Sequence, residues 1–134
     1  LSFLQNWLRS GVSRADMLNL YAHATAVFFG PLDEDYGYVT LEAMLSGKPV
    51  ITCSDSGGPL EFVLDGETGF VTAPEPQAIA AALETLMGDA GKAAELGRNG
   101  RACFEAMDIT WNHVVETLLA DIPPPSTEPR GVTP

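Results

Sequence analysis

The hydrophobic pattern of the chain alternates between a helical period and short apolar runs. Residues 13–24 predict a helix: Ser13 suits the N-cap, Asp16 sits in a capping-box-like position, and Met17, Leu18, Leu20, Tyr21 and Ala24 form an apolar stripe. Thr25 to Phe29 is a continuous apolar run, which fits a strand covered on both faces. Tyr38 to Leu45 reads as helical, Ser46-Gly47-Lys48-Pro49 as a turn, and Val50 to Cys53 as a second strand, completing a βαβ unit. Pro59 suits the first turn of a short helix to about Leu64, Asp65-Gly66 marks a turn, and Gly69 to Thr72 predicts a third strand. A helix opening at Pro76 carries Ile79, Ala80, Leu83, Leu86 and Met87 on one face, and Gly88 to Gly91 breaks it. Lys92 to about Met107 predicts a further helix interrupted at Gly97 and Gly100. A last helix is expected after Asp108 or Thr110, with Trp111, Val114, Val115, Leu118 and Leu119 on one stripe. Strands alternating with helices imply a parallel α/β sheet with right-handed crossovers.

Composition narrows this picture. A length of 134 residues allows one domain, and 46% apolar residues suffice for a core. Residues 1–122 are read as that domain, and 123–134 as an extended or disordered tail, since five of the ten prolines fall there. The net charge of −11 argues against nucleic acid and anionic membrane surfaces as partners, because both require clustered Lys and Arg. Cys53 and Cys103 form no CxxC pair, which fits a reducing compartment; Cys53 reads as a small buried apolar residue. No run is long enough to span a bilayer, and no secretory pattern opens the chain. The start at Leu1 without Met, together with only three strands, leads us to expect a piece of a longer polypeptide.

In open α/β sheets, ligands bind beyond the C-terminal strand ends, where helix N-termini point. Two Gly-bearing polar loops fall there: Gly30 to Gly37 and Ser54 to Pro59. The free amides of a helix start attract anions, and Gly37, Gly57 and Gly58 permit close backbone approach; they serve equally as tight-turn residues. The acids Asp33, Glu34 and Asp35 repel a phosphate but suit sugar or ribose hydroxyls, since carboxylates only accept hydrogen bonds. Glu42 lies about one and a half turns into the helix, leaning back toward its N-terminus. The alternatives for these acids are a solvated turn and an ordinary helical Glu. His23 and His113 read as surface or structural residues.

The run Glu34-Asp35-Tyr36-Gly37-Tyr38-Val39-Thr40-Leu41-Glu42-Ala43-Met44 resembles the Glu-x7-Glu signature of retaining GT-B-fold glycosyltransferases of family 4. The resemblance continues in Leu20-Tyr21-Ala22, Ser46 to Ile51, Gly57-Gly58-Pro59-Leu60-Glu61 and Asp65 to Phe70, and covers roughly residues 12–119. It implies the C-terminal, donor-binding half of a GT-B fold: a partial Rossmann-like, three-layer parallel sheet with helices on both faces. The implied donor is a nucleotide-diphosphate sugar, with no other cofactor and no metal at the diphosphate. By motif position, Glu34 would contact the transferred sugar and serve as the catalytic-site carboxylate. Glu42 would hold the ribose, and the backbone of Gly37, Tyr38 and Val39 would meet sugar and diphosphate. Tyr36, Gly57 and Gly58 complete the implied donor site.

The resemblance also implies a cationic Arg and Lys earlier in the domain, expected before Leu1, and an N-terminal acceptor domain in the same parent chain. The fragment alone is then expected to be inactive, to bind donor weakly, and to self-associate through apolar surface left uncovered. The intact enzyme is expected in a bacterial-like cytoplasmic setting, with peripheral membrane association open to it. A sugar-nucleotide epimerase on the same fold and a non-catalytic nucleotide-sugar-binding module are the rival readings.

Overall fold

The computed structural model describes residues 11–108. In chain order these form α1 (Arg14–His23), β1 (Val27–Phe28), α2 (Tyr38–Leu45), β2 (Val50–Cys53), a 3₁₀ turn (Gly58–Glu61), β3 (Gly69–Thr72), α3 (Pro76–Gly88) and α4 (Ala90–Ala106). The strands make one parallel sheet in the order β1-β2-β3, with Val27 opposite Val50 and Val50 opposite Gly69. The helix expected around Trp111 and the Pro-rich tail lie outside the described residues.

Alternating side chains divide the core between the two sheet faces, as the strand period of two requires. On one face Ile51 packs with Ala82, Leu86, Ala93 and Leu96, joined by Ala26 and Phe70. On the other, Val50 packs with Ala43, Met44 and Val63, joined by Val27, Val71, Cys103 and Phe104. All four residues of β2 are buried, which explains why Val50-Ile51-Thr52-Cys53 reads as an unbroken apolar run. Cys53 is buried and unpaired, as its sequence setting suggested.

The turn after α2 closes by a Schellman pattern. The amide of Gly47 donates to Met44 O at 2.9 Å and that of Lys48 to Ala43 O at 2.9 Å, satisfying two carbonyls that the helix end would leave free. Lys48 Nζ then donates to Ala22 O at 3.0 Å, tying this turn to the end of α1.

α4 crosses the N-terminal ends of the strands. A side chain at Gly97 would overlap the Gly47 carbonyl just before β2, and Gly100 lies against Met44 and Thr68, the latter just before β3. Asn99 Nδ2 donates to Glu67 O at 3.0 Å at the same end. With that end covered by α4, the loops leaving β1 and β2 occupy the opposite, C-terminal edge of the sheet.

Several expectations are revised. α4 is continuous; Gly97 and Gly100 do not interrupt it, because their missing side chains allow the backbone contact just described. The segment after Pro59 is a four-residue 3₁₀ turn, since Phe62 N and Val63 N both donate to Pro59 O and no further turn follows. β1 is two residues long and lies at the sheet edge, leaving Phe28 exposed. α1 buries no residue: Leu18 and Leu20 stand 55% and 45% exposed, although their spacing is that of a core stripe. In α3 the buried residues are Ala82 and Leu86, while Met87 turns outward.

Candidate functional site

The two loops at the C-terminal edge are zipped together. Beyond the strands, Asp33 N donates to Asp55 O at 3.0 Å and Glu34 N to Ser56 O at 3.0 Å; Gly58 N returns a bond to Glu34 O at 2.6 Å. Glu34 and Gly57 form a parallel bridge, so the β1–β2 pairing is resumed past both strand ends. Ser56 is fully buried and braces its loop: its Oγ accepts from Cys53 N at 3.1 Å. Asp33 reaches φ 49° to make the bend, a conformation that Asp tolerates better than most residues.

The glycines make this approach possible. Gly57 adopts φ 73°, and a Cβ there would sit 2.7 Å from Glu34 O. A Cβ on Gly58 would meet Asp35 O at 2.7 Å. Gly37, at φ 66°, faces the Pro59 ring, which a Cβ would meet at 2.9 Å. The close packing that these glycines permit is therefore between chain segments, and the Gly58 amide already has its acceptor.

Gly37 is the N-cap of α2 and has no side chain with which to cap it. Thr40 N donates to Gly37 O at 2.9 Å. The amides of Tyr38 and Val39 have no acceptor among the described residues, so the positive end of the helix dipole is open. Tyr36 and Tyr38 flank this end, their rings 4.8 Å apart, and Tyr36 also meets the edge of Phe62 at 6.0 Å. Glu34 is exposed, and its carboxylate has no hydrogen bond or ion pair among the described residues.

Glu42, also exposed, accepts a hydrogen bond at Oε2 from the Tyr21 hydroxyl at 3.0 Å. Both residues line an open cleft of about 520 Å³ between α1 and α2, together with Arg14, Met17, Leu18, Leu45 and Ser46. Glu34 is not among the residues that line it. Partial burial, then the hydrogen bond to Glu42 and its charge, push the Tyr21 hydroxyl up to about 12. The structure thus gathers Glu34, Tyr36, Gly37, Gly57 and Gly58 at the zipped loops. Tyr38 and Val39 open α2, and Glu42 lies farther along it, facing α1.

Tyr21 and Arg14 are the residues that sequence reasoning missed. Tyr21 enters the sequence reading as a member of an apolar stripe and of the Leu20-Tyr21-Ala22 resemblance, with no role of its own. A tyrosine among aliphatic residues carries a polar tip that needs a partner, and that was the available signal. Arg14 carried none beyond its charge. His23 is a surface residue whose Nδ1 lies 2.8 Å from Asn19 O. Among the described residues, no group of three His, Cys, Asp or Glu is placed to hold a metal ion, and no helix is long and apolar enough to cross a membrane.

A three-stranded parallel sheet with helices on both faces and an open helix start at its C-terminal edge makes an incomplete Rossmann-like α/β unit. The chain belongs to the glycosyl transferases group 1 family, whose model matches residues 8–102. It is 38% identical over 96 residues to the alpha-1,3/1,6-mannosyltransferase ALG2 of Homo sapiens, covering 72% of this chain and 23% of that protein. Among solved structures, sucrose-phosphate synthase from Thermosynechococcus elongatus superposes with a TM-score of 0.71 at 29% identity, covering 82% of this chain and 28% of that one. Anabaena Alr3699/HepE in complex with UDP and glucose gives 0.69 at 34% identity, covering 81% and 30%. The chain spans only 19% and 23% of the first two curated relatives it matches. An epimerase or a purely non-catalytic module is not favoured by these likenesses.

Proposed function

We propose that the chain is the donor-binding portion of a retaining glycosyltransferase, which moves a sugar from a nucleotide-diphosphate sugar to an acceptor. The observation that carries this reading is the open start of α2, whose Tyr38 and Val39 amides have no acceptor among the described residues, preceded by Glu34 and followed within the helix by Glu42. Amides at a helix start stabilise a diphosphate and the charge it gains as a leaving group. Glu34, with its carboxylate unengaged among the described residues, accepts hydrogen bonds from the hydroxyls of the transferred sugar and orients the anomeric carbon. Glu42 accepts from the ribose, and the cleft it lines has room for the nucleoside. Tyr36 and Tyr38 wall the diphosphate end, and Gly57 and Gly58 hold the Glu34 loop in register.

The same reading supplies the rest. No metal or further cofactor takes part. The acceptor domain lies in the N-terminal part of the parent polypeptide, along with the Arg and Lys that offset the loop acids. The isolated piece is inactive and self-associates through apolar side chains such as Leu18, Leu20 and Phe28, and the intact enzyme works in the cytoplasm.

The test is transfer of labelled sugar by the intact enzyme. Glu34→Ala should lower kcat/KM roughly a hundredfold, and Glu42→Ala roughly tenfold through KM, the scale of lost charge-assisted hydrogen bonds. Undiminished transfer by both variants would refute the assignment.

A further inference from the structure

We propose that Tyr21 is a positioning residue for the donor's ribose, acting through Glu42. The inference rests on the reading of Glu42 given above and extends it to a residue on a different helix. A carboxylate on an exposed helical Glu samples several rotamers, and ordering it on binding costs entropy. Here one oxygen, Oε2, is held by the Tyr21 hydroxyl at 3.0 Å, which leaves Oε1 for a ligand. The Tyr21 ring packs beside the Ala43, Met44, Val50 and Val63 cluster, so the hydroxyl is presented from an anchored base. Both side chains face one cleft of about 520 Å³, in which, among the described residues that line it, Arg14 supplies the positive charge and Met17 and Leu18 supply apolar wall.

Geometry also fixes the direction of the bond. A neutral phenol donates and a carboxylate only accepts, so the pair holds together while Tyr21 stays protonated. Its hydroxyl is pushed up to about 12 by partial burial and by Glu42, so at neutral pH the donor is always present. The role is pre-organisation: Tyr21 does not touch the reacting centre, and its removal should weaken recognition of the ribose hydroxyls alone.

The experiment compares the intact enzyme with its Tyr21→Phe and Glu42→Ala variants. Calorimetry measures Kd for whichever of UDP, GDP and ADP binds wild type most tightly, and for its 2′,3′-dideoxy counterpart. Tyr21→Phe should raise Kd for the ribonucleotide about three- to tenfold and leave the dideoxy nucleotide within about twofold of wild type. Its melting temperature should stay near wild type, because ring packing is kept. If Tyr21→Phe weakens both nucleotides equally, or neither, Tyr21 is a packing residue and the inference falls while Glu42 keeps its role. If Glu42→Ala leaves ribonucleotide binding intact, or no nucleotide binds, the ribose reading itself fails and takes this inference with it.

Discussion

Replacing Gly58 by Ala tests whether the zipped loops are held by backbone proximity. The new Cβ would lie 2.7 Å from Asp35 O, 2.9 Å from Asp35 C and 2.9 Å from Glu34 O, all backbone atoms that a rotamer change cannot move aside. The two loops must part, which lengthens the 2.6 Å bond from Gly58 N to Glu34 O and strains the Glu34 N to Ser56 O bond beside it. Overpacking costs about 1–3 kcal/mol and the lost hydrogen bond about 1 kcal/mol. The smaller entropy of the unfolded Ala chain returns about 0.4–1 kcal/mol, so the net loss is about 1–4 kcal/mol. For a domain of this size that lowers Tm by roughly 5–15 °C. Thermal unfolding followed by circular dichroism measures it. Gly66→Ala is the control: Gly66 has φ 75° but nothing within 4 Å of a Cβ, so the left-handed backbone penalty of about 1–2 kcal/mol applies, less the same unfolded-chain entropy, with no overlap added. A Gly58→Ala Tm within about 2 °C of wild type, or a fall smaller than that of Gly66→Ala, would refute the reasoning.

Three further outcomes are expected. Gly97→Ala improves helix propensity by about 1 kcal/mol, yet its Cβ would overlap the Gly47 carbonyl, so urea titration should show net destabilisation; a gain in stability would contradict the α4 crossing. Thr52→Val removes a buried hydroxyl that has no hydrogen-bond partner among the described residues, in a strand position that suits Val, so the urea midpoint should rise by an amount equal to about 1 kcal/mol; a loss would mean that the hydroxyl is satisfied. Glu42→Gln should lower the Tyr21 hydroxyl from about 12 toward 10, stopping short of it because burial remains the larger cause; titration of isotope-labelled tyrosine by NMR reads this directly. Since the raised value belongs to the folded state, the Tyr21 contribution to stability is complete below pH 10.0 and is lost as pH climbs toward about 12, and that loss should be shallower in Glu42→Gln.

The order of elements was legible in the chain because local patterns decide it. Val50 to Cys53 had to be a covered strand, Pro76 had to open a helix, and Gly88 to Gly91 had to end one. The Glu-x7-Glu spacing located both candidate carboxylates, since residue identity and loop position are properties of the sequence itself. What each residue touches was not legible. Gly97 weakens a helix by local propensity, and only the crossing of α4 over the Gly47 turn shows why its missing side chain is needed. Gly57 and Gly58 signalled close approach, but whether to an anion or to the neighbouring loop depended on where Glu34 and Asp35 lay in space. The α1 stripe had core spacing, yet Leu18 and Leu20 stand exposed and Met17 and Tyr21 are only half-buried, because burial depends on what packs opposite. The bond from Tyr21 to Glu42 joins residues on different helices, brought together when α1 and α2 meet the same face of the sheet. Periodicity, caps and turns act over a few residues and so are written in the sequence; contacts across the sheet arise from the assembled layers and become readable only there.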